Sequence, residues 1–202
     1  MADDLAAAAA RPPDLLRVVV FGSESTGKTT LAKQLATHYQ APLACEFVRQ
    51  YAEVKRAPLE VTDVEAIAHG QLASEREAEA LAVRHASPLV ILDTDLNSTV
   101  VYSRHYYGDC PSWIDDAARA RRADLYLLLS IDVPWVADTQ RDRGGRRPEM
   151  HALFQNRLAA IGARCVEVSG NWAARFARAT AAIDDLVVAG ERARPHRRPR
   201  PD

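Results

Sequence analysis

The sequence has few cysteines, and neither cysteine nor histidine occurs at a metal-binding spacing. The three cysteines, Cys45, Cys110 and Cys165, lie far apart in the 202 residues. An odd and scattered set is typical of a protein in a reducing cytosol rather than of a disulfide framework. Because no CxxC or HExxH spacing occurs, we do not expect a structural zinc site. These absences predict a cytoplasmic protein.

The sequence also lacks a strong net charge and a long apolar run. The formal net charge is −1, so the protein as a whole does not attract nucleic acid or an anionic membrane surface. No stretch approaches the length of a membrane span, and the N-terminus lacks the basic start of a signal peptide. We therefore expect neither a nucleic-acid nor a membrane partner, while the oligomeric state, including a homo-oligomer, stays open.

Two terminal segments differ in composition from the rest of the chain. Residues 1–14 are rich in alanine and predict a disordered tail, and residues 191–202 predict a disordered, basic, proline-rich tail. A solvated state of the second tail is favoured over contact with an acidic partner. Residues 15–190 contain no repeat or linker, and a chain that is 48% hydrophobic can bury one core. We expect a single domain there.

Apolar, β-branched runs alternate with helical patterns along this domain, which predicts an α/β fold with a parallel five-stranded sheet and helices on both faces. The predicted strands are residues 16–21, 43–45, 89–92, 125–131 and 165–170. Three local features are expected in the helices. Thr62 and Glu65 have the spacing of a capping box, Gly70 indicates close packing inside a long helix, and Asn171 caps the last helix.

The segment FGSESTGKTTL carries the clearest functional motif. Gly22, four residues, Gly27, Lys28 and Thr29 match the P-loop pattern, between a buried strand and a helix. In that arrangement, backbone N–H groups and a helix N-terminus bind phosphate groups. The motif therefore predicts a phosphate-binding loop, as in a P-loop NTPase or kinase fold. The loop residues are Gly22, Ser23, Glu24, Ser25, Thr26, Gly27, Lys28, Thr29 and Thr30.

Acidic side chains follow the predicted strands. The carboxyl ends of parallel strands form the ligand-binding edge of such a sheet, so residues after them should share one cleft. These residues are Gly22, Glu46, Asp93, Asp132 and Ser169. We expect Lys28 to reach the β- and γ-phosphates, and Thr29 and Asp93 to bind Mg²⁺. Asp95 points to a similar place, and either acid could orient a substrate hydroxyl. Alternatively, Asp93 and Asp95 lie in a solvated turn or cap a helix.

Two further groups of residues have open alternatives. Glu46 is either a catalytic base for a substrate hydroxyl or an ordinary surface carboxylate, and the nearby Arg49 binds phosphate or pairs with a carboxylate. The segment ADTQRDRGGRRPEM contains Arg141 and Arg143, with Arg146 and Arg147 after a glycine pair. These arginines either close over the transferred phosphoryl group or form a basic surface loop.

The chain has no guanine-specifying NKxD segment and is too short for an ABC or AAA+ ATPase with accessory modules, which favours a small-molecule kinase. Adenine would then contact mainly the backbone of residues 168–172. Several segments together resemble the NadR-type nicotinamide riboside kinase domain of the P-loop kinase superfamily. They include ESTGKTTL, CEFVRQYAE, IAHGQ, DTDLNSTVVYSRHYYG, DVPWVAD and VSGNWAARFARA.

The resemblance implies an enzyme that uses Mg²⁺ and ATP to phosphorylate the 5′-hydroxyl of nicotinamide riboside, giving nicotinamide mononucleotide in NAD salvage. It implies that residues 22–30 contact ATP and that the arginines of the lid, such as Arg141 and Arg143, contact phosphate. It also implies substrate contacts from the Glu46, Tyr106–Tyr107 and Trp135 regions. Carboxylates and an aromatic side chain would stabilise the pyridinium cation of this substrate. The alternative is that Tyr106 and Trp135 only pack against their neighbours. With only a short tail before the P-loop and no HxGH segment, we expect a stand-alone kinase.

Two other functions fit the same phosphate-binding motif. A P-loop kinase for another nucleoside or nucleotide would keep the phosphate-binding residues and change the acceptor pocket. A regulatory protein that binds ATP or GTP would bind nucleotide tightly without turnover that depends on an acceptor. The acids at the strand ends favour a kinase, because a regulatory switch has less need of a carboxylate on the acceptor side.

Overall fold

The protein, seen in a computed structural model that describes residue 12 and residues 14–133 and 147–193, alternates strands and helices. The strands are β1 (Leu16–Phe21), β2 (Leu43–Ala44), β3 (Leu89–Asp93), β4 (Leu125–Leu129) and β5 (Cys165–Val168). The helices are α1 (Lys28–Tyr39), α2 (Phe47–Lys55), α3 (Val64–Arg84), α4 (Leu96–Tyr107), α5 (Ser112–Ala120), α6 (Arg147–Ala160) and α7 (Trp172–Ala193). A 3₁₀ turn, Val61–Asp63, precedes α3.

The five strands form one parallel sheet in the order β2-β3-β1-β4-β5. The predicted fold class is therefore confirmed. The strand β1 lies at the centre because its six residues pair with β3 on one side and β4 on the other. The register sets Val20 level with Asp93, and Phe21 level with Leu128. The loops after β1, β3 and β4 consequently leave the same edge of the sheet.

Both faces of the sheet are covered by helices, and the alternation of side chains along β1 shows how. Val18 and Val20 point to the face that packs against α1 and α7, where Leu31 and Ile183 are buried. Val19 and Phe21 point to the opposite face, which packs against α3, α4 and α6. A strand covered on both sides requires the continuous apolar run found at the start of the domain.

One residue of β1 departs from this apolar pattern. Arg17 is 2% exposed, and its guanidinium lies 2.6 Å from the Glu75 carboxylate and 3.1 Å from that of Glu79, both on α3. Arg121 joins the same two carboxylates. Burial alone lowers the pKa of Arg17, but the carboxylates outweigh it and raise that pKa. This buried ionic cluster links α3 to strand β1 of the sheet.

The local expectations have different outcomes. Gly70 is confirmed as a site of close packing, because a Cβ there would lie 2.0 Å from the Phe47 ring. Asn171 is confirmed as a cap, since its side chain accepts a hydrogen bond from the Ala174 N–H at 2.9 Å.

The capping box predicted at Thr62 and Glu65 is wrong. The box lies two residues earlier, where Asp63 accepts a hydrogen bond from the Glu60 N–H at 2.7 Å. Asp63 also accepts a hydrogen bond from the Tyr51 hydroxyl at 2.8 Å, and it is ion-paired with Lys55 at 2.5 Å. These contacts with α2 fix the Asp63 carboxylate and place the start of α3 at Val64.

Boundaries also differ by one to three residues. The strand expected at residues 125–131 ends at Leu129, and the closing helix continues to Ala193, beyond the expected domain boundary at residue 190. The two expected tails lie almost entirely outside the described residues. In the part of the chain that the structure describes, no helix combines the length and the apolar composition that a membrane crossing requires.

Candidate functional site: a phosphate-binding loop beside an acidic cleft

The predicted P-loop joins β1 to α1 and is closed by its own side chains. The carbonyl of Ser23 accepts hydrogen bonds from the Thr26 hydroxyl at 2.8 Å and from the Lys28 ammonium at 2.9 Å. Gly22 and Gly27 have φ angles of 138° and 89°, which favour glycine. Lys28 is only 5% exposed, so its charge is held at the loop instead of extending into solvent. A loop of this shape presents backbone N–H groups to an anion.

Arg175 on α7 braces this loop. The side chain is 0% exposed and donates hydrogen bonds to the carbonyls of Thr26 at 2.8 Å, Ser130 at 3.0 Å and Gly170 at 2.9 Å. It also forms an ion pair with Asp132. The brace therefore joins the P-loop to the segments that follow β4 and β5.

Asp132 completes the brace instead of facing a substrate. Its carboxylate also accepts a hydrogen bond from the Gly170 N–H at 2.6 Å. Partial burial opposes ionisation, but the Gly170 N–H and the Arg175 guanidinium outweigh it and lower the pKa of Asp132. Of the strand-end residues expected to share one cleft, Asp132 is instead the partner of Arg175.

The role of Arg175 was not predicted, although the sequence carries a signal for it. Arg175 has helical spacing with Ala179 and Ile183, which form the buried stripe of α7. A charged residue in line with such a stripe must find partners in the interior. Trp172, one turn earlier, lies over Gly27, where a Cβ would be 2.4 Å from its ring, and its ring centre is 5.8 Å from the Arg175 guanidinium.

Two oxygen atoms at the carboxyl edge of the sheet fit a Mg²⁺ ion. Thr29 Oγ1 and Asp93 Oδ1 are both buried, and neither has a partner at ordinary hydrogen-bond distance among the described residues, although the two side chains are near enough for Thr29 to lower the pKa of Asp93. Hydroxyl and carboxylate oxygens are the ligands that Mg²⁺ prefers, and a buried oxygen without a partner is costly unless a ligand or ion satisfies it. The predicted pair Thr29 and Asp93 thus fits the metal by its donor chemistry.

The charges around Asp93 link it to Glu46. Burial raises the pKa of Asp93, and repulsion from Glu46 raises it further. The Thr29 side chain and the positive charges of Lys28 and Arg49 act in the opposite direction. Glu46 itself forms an ion pair with Arg49 at 2.6 Å. Of the two roles considered for Arg49, the structure thus shows pairing with a carboxylate. The structure therefore brings Lys28, Asp93 and Glu46 into one electrostatic unit.

A cleft of about 880 Å³ opens beside this unit. Its lining includes Lys28, Glu24, Glu46 and Tyr106. The rings of Tyr102 and Tyr106 are stacked, with centroids 6.0 Å apart and an interplanar angle of 8°. Ligand pockets range from about 300 to 1,000 Å³, so the cleft has room for a nucleoside.

Asp95 does not face this cleft. Its carboxylate caps α4 by accepting a hydrogen bond from the Asn97 N–H at 2.9 Å, and it accepts another from the Tyr126 hydroxyl at 2.7 Å. Burial and the Asp95 carboxylate raise the pKa of Tyr126. At 3% exposure, Asp95 is a core residue, and the helix-cap interpretation corrects its expected position at the substrate.

Several predicted site residues cannot be placed. Trp135, Arg141, Arg143 and Arg146 lie outside the described residues. Arg147 is described at the start of α6, where its guanidinium donates a hydrogen bond to the Val133 carbonyl at 2.9 Å.

Comparison with known protein families places the fold. Residues 17–175 match the model of a family described as "AAA domain". The chain belongs to this family. The match covers β1 to the first turn of α7.

Among curated proteins, this AAA domain is similar to the trifunctional NAD biosynthesis/regulator protein NadR. The Escherichia coli K12 protein is 28% identical over 177 residues, which are 84% of this chain and 42% of the relative. The Salmonella typhimurium LT2 protein is 30% identical over 148 residues, which are 71% of this chain and 35% of the relative. The chain therefore spans less than half the length of either curated relative.

Solved structures agree with this similarity. A NadR protein in complex with NR has a TM-score of 0.71 and 27% identity, covering 87% of this chain and 52% of that one. A NadR protein in complex with NAD and AMP-PNP has a TM-score of 0.70 and 25% identity, covering 93% and 52%. A thymidylate kinase from Ehrlichia chaffeensis, with a TM-score of 0.57 and 17% identity, shares the fold. The resemblance to the NadR-type domain is confirmed.

Proposed function

We propose that this chain is an ATP-dependent kinase that phosphorylates the 5′-hydroxyl of nicotinamide riboside to give nicotinamide mononucleotide. The observation that carries the proposal is the position of the P-loop lysine Lys28 beside the buried acid Asp93 and the cleft acid Glu46. The similarity to NadR proteins, one in complex with NR and one with NAD and AMP-PNP, supports this acceptor and ATP as the donor. Such an activity belongs to NAD salvage in the cytoplasm.

The residues of the site divide the reaction between them. Lys28 neutralises charge on the β- and γ-phosphates, and the backbone N–H groups of the P-loop bind the remaining phosphate oxygens. Thr29 and Asp93 would hold Mg²⁺, which supplies further charge neutralisation when it is bound. Glu46 accepts the proton of the 5′-hydroxyl as that oxygen attacks the γ-phosphorus and the bond to ADP breaks.

The charge and shape of the cleft suit a nicotinamide riboside. The pyridinium ring carries a positive charge, and the carboxylates of Glu24 and Glu46 line the cleft. Tyr106 offers an aromatic surface for that cation in the described part of the wall. We keep Trp135, Arg141 and Arg143 as predicted contacts, the first to the substrate and the arginines to phosphate.

The test is a product assay with a matched pair of lysine variants. The purified protein is incubated with Mg²⁺, ATP or GTP, and a panel of nucleosides that includes nicotinamide riboside, and both ADP or GDP and the phosphorylated nucleoside are measured. We expect nicotinamide mononucleotide with ATP, a rate loss of about 10²-fold or more in Lys28→Ala, and no loss in Lys33→Ala. Lys33 is exposed on the same helix.

The other outcomes would each overturn part of the proposal. Product from a different nucleoside would keep the kinase mechanism and replace the substrate. Tight nucleotide binding without any acceptor-dependent product would support the regulatory alternative. Circular dichroism of Lys28→Ala separates loss of catalysis from loss of fold, and we expect an unchanged spectrum because Lys28 binds only a loop carbonyl among the hydrogen bonds described.

A further inference from the structure

Gln71 on α3 lines the cleft with its side-chain amide held in one orientation. The residue is 3% exposed, and its Oε1 accepts a hydrogen bond from the Phe47 N–H at 3.0 Å. Only the oxygen of an amide group can accept from an N–H, so this bond fixes which end is which. The Nε2 group, with two N–H donors, must therefore project away from Phe47.

This Nε2 donor is buried and has no hydrogen-bond partner among the described residues. A buried donor without an acceptor is unfavourable, and such atoms in folded proteins call for a specific explanation. Thr94, which also lines the cleft, has a buried hydroxyl in the same condition and a φ of 70°, an uncommon backbone conformation for a β-branched residue. Strained residues of this kind cluster at binding sites.

The position of Gln71 indicates which part of an acceptor it meets. Its anchor, Phe47, directly follows Glu46, and Glu46 lies close enough to Asp93 to raise the pKa of that acid. A nucleoside whose 5′-hydroxyl is at Glu46 has its ribose ring next to that hydroxyl, and its base further away. Since Gln71 is bound to the residue that follows Glu46, an acceptor held in this way would bring its ribose, rather than its base, towards Gln71.

We propose that Gln71 is a specificity-determining residue whose Nε2 group donates a hydrogen bond to a ribose 2′- or 3′-hydroxyl oxygen of the acceptor. The amide thereby selects ribonucleosides over deoxyribonucleosides. A site that holds a buried donor for a hydroxyl discriminates against the analogue that lacks this hydroxyl, because the donor is then left unpaired. This inference rests on the proposed kinase function and adds a basis for its choice of sugar.

The test compares each riboside with its 2′-deoxy and 3′-deoxy counterparts in wild type, Gln71→Glu and Gln71→Met. Glutamate keeps an oxygen for the Phe47 N–H and removes the donor, whereas methionine of similar length removes both. We expect wild type to prefer nicotinamide riboside over one deoxy analogue by about tenfold or more in kcat/KM. Both variants should lose most of this preference through KM for the riboside, with the KM for ATP within about twofold of wild type.

The ratio of riboside to deoxyriboside is measured within each variant, so a general loss of stability or activity does not imitate the expected result. An unchanged ratio in both variants, or a wild type that uses both sugars equally, would overturn the role of Gln71 and leave the kinase function standing. If wild type phosphorylates another ribonucleoside instead, nicotinamide riboside is not the substrate. The ratio of kcat/KM between that ribonucleoside and its deoxy analogues then tests the role of Gln71. If no nucleoside is phosphorylated, both proposals fail.

Discussion

The guanidinium of Arg175 donates a hydrogen bond of 2.8 Å to the carbonyl of Thr26, which lies 149 residues earlier in the chain. The same guanidinium is bound by Asp132, at the end of β4. The shape of the phosphate-binding loop is thus held by the last helix of the domain as well as by its own glycines. Nucleotide affinity should consequently depend on a residue that does not itself belong to the loop.

Replacing Arg175 with methionine tests this dependence. The change leaves three carbonyls and the Asp132 carboxylate without their common donor, so we expect a loss of about 3 kcal/mol in unfolding free energy. In a chain of this size, that loss lowers the Tm by about 6–12 °C. Thermal melts and the KM for ATP, which should rise, are the measurements.

Arg178→Met is the matched control, since Arg178 is exposed on the same helix and donates to a single carbonyl, that of Glu167, at 2.8 Å. Its Tm and its KM for ATP should stay close to those of wild type. Equal behaviour of the two variants would show that the brace does not stabilise the loop.

Asp93→Asn should lower activity and raise the stability of the nucleotide-free protein. Burial raises the pKa of Asp93, so the folded state holds the proton more tightly than the unfolded state, and wild-type stability falls as pH rises through that pKa. Asparagine does not titrate and avoids this cost. We expect a kcat lower by about 10²-fold or more, together with a higher Tm at neutral pH.

The pH dependence separates this effect from a general change in packing. Below about pH 4, the ordinary pKa of an aspartate, the carboxyl is protonated in both states, and the Tm advantage of Asp93→Asn should vanish. An advantage of equal size at pH 3.5 and pH 7.5, measured by thermal melts, would contradict the assigned cause. Near-normal kcat would move the catalytic role to Glu46.

Asp95 and Asp93 should behave differently although one residue separates them. Asp95→Ala removes the cap of α4 and leaves the Tyr126 hydroxyl without its hydrogen-bond acceptor in the core, so we expect a loss of about 2–3 kcal/mol. Asp95→Asn keeps a capping side chain and should lose less. Urea denaturation measures both variants, and a KM for the acceptor raised more than about tenfold in a well-folded Asp95→Asn would restore the substrate role.

Two helical glycines should respond in opposite ways to alanine. At Gly190, an added Cβ would lie 3.6 Å from Leu16, which is ordinary contact, so alanine should stabilise the protein by about 0.5–1 kcal/mol. At Gly70, the added Cβ would lie 2.0 Å from the Phe47 ring, and we expect destabilisation of about 1–3 kcal/mol. Thermal melts of the two variants check this, and a stabilised Gly70→Ala would contradict the close packing.

Much of the fold follows from patterns that are local in sequence. The alternation of apolar runs with helical periods was sufficient to predict the five parallel strands, because burial on both faces of a parallel sheet requires it. The P-loop was recognisable because its glycines and Lys28 stand at a spacing that the loop geometry itself demands. Gly70 was recognisable because a glycine inside a helix needs a reason.

Other parts depend on which side chains meet in space. The capping box lies at Glu60 and Asp63 instead of at Thr62 and Glu65, and the Asp63 side chain is held by partners from α2. The partners of Arg17 come from α3 and from the residue that follows α5. The role of Asp95 was open in the sequence, and its hydrogen bonds with Asn97 and with Tyr126 on β4 decided that it caps α4 in the core. Hydrogen bonds and ion pairs across the core join residues that are far apart in sequence, so they produce no periodic pattern from which they could be predicted.

By itself, the sequence determined the phosphate-binding loop, the order of strands and helices, and the edge of the sheet where the site lies, because each depends on residues a few positions apart. Only the tertiary structure decided that Arg175 braces the loop, that Glu46 pairs with Arg49 beside Asp93, and that Gln71 turns a donor away from Phe47. The physical reason is that a buried polar group is oriented by its nearest partner, and folding alone brings that partner near.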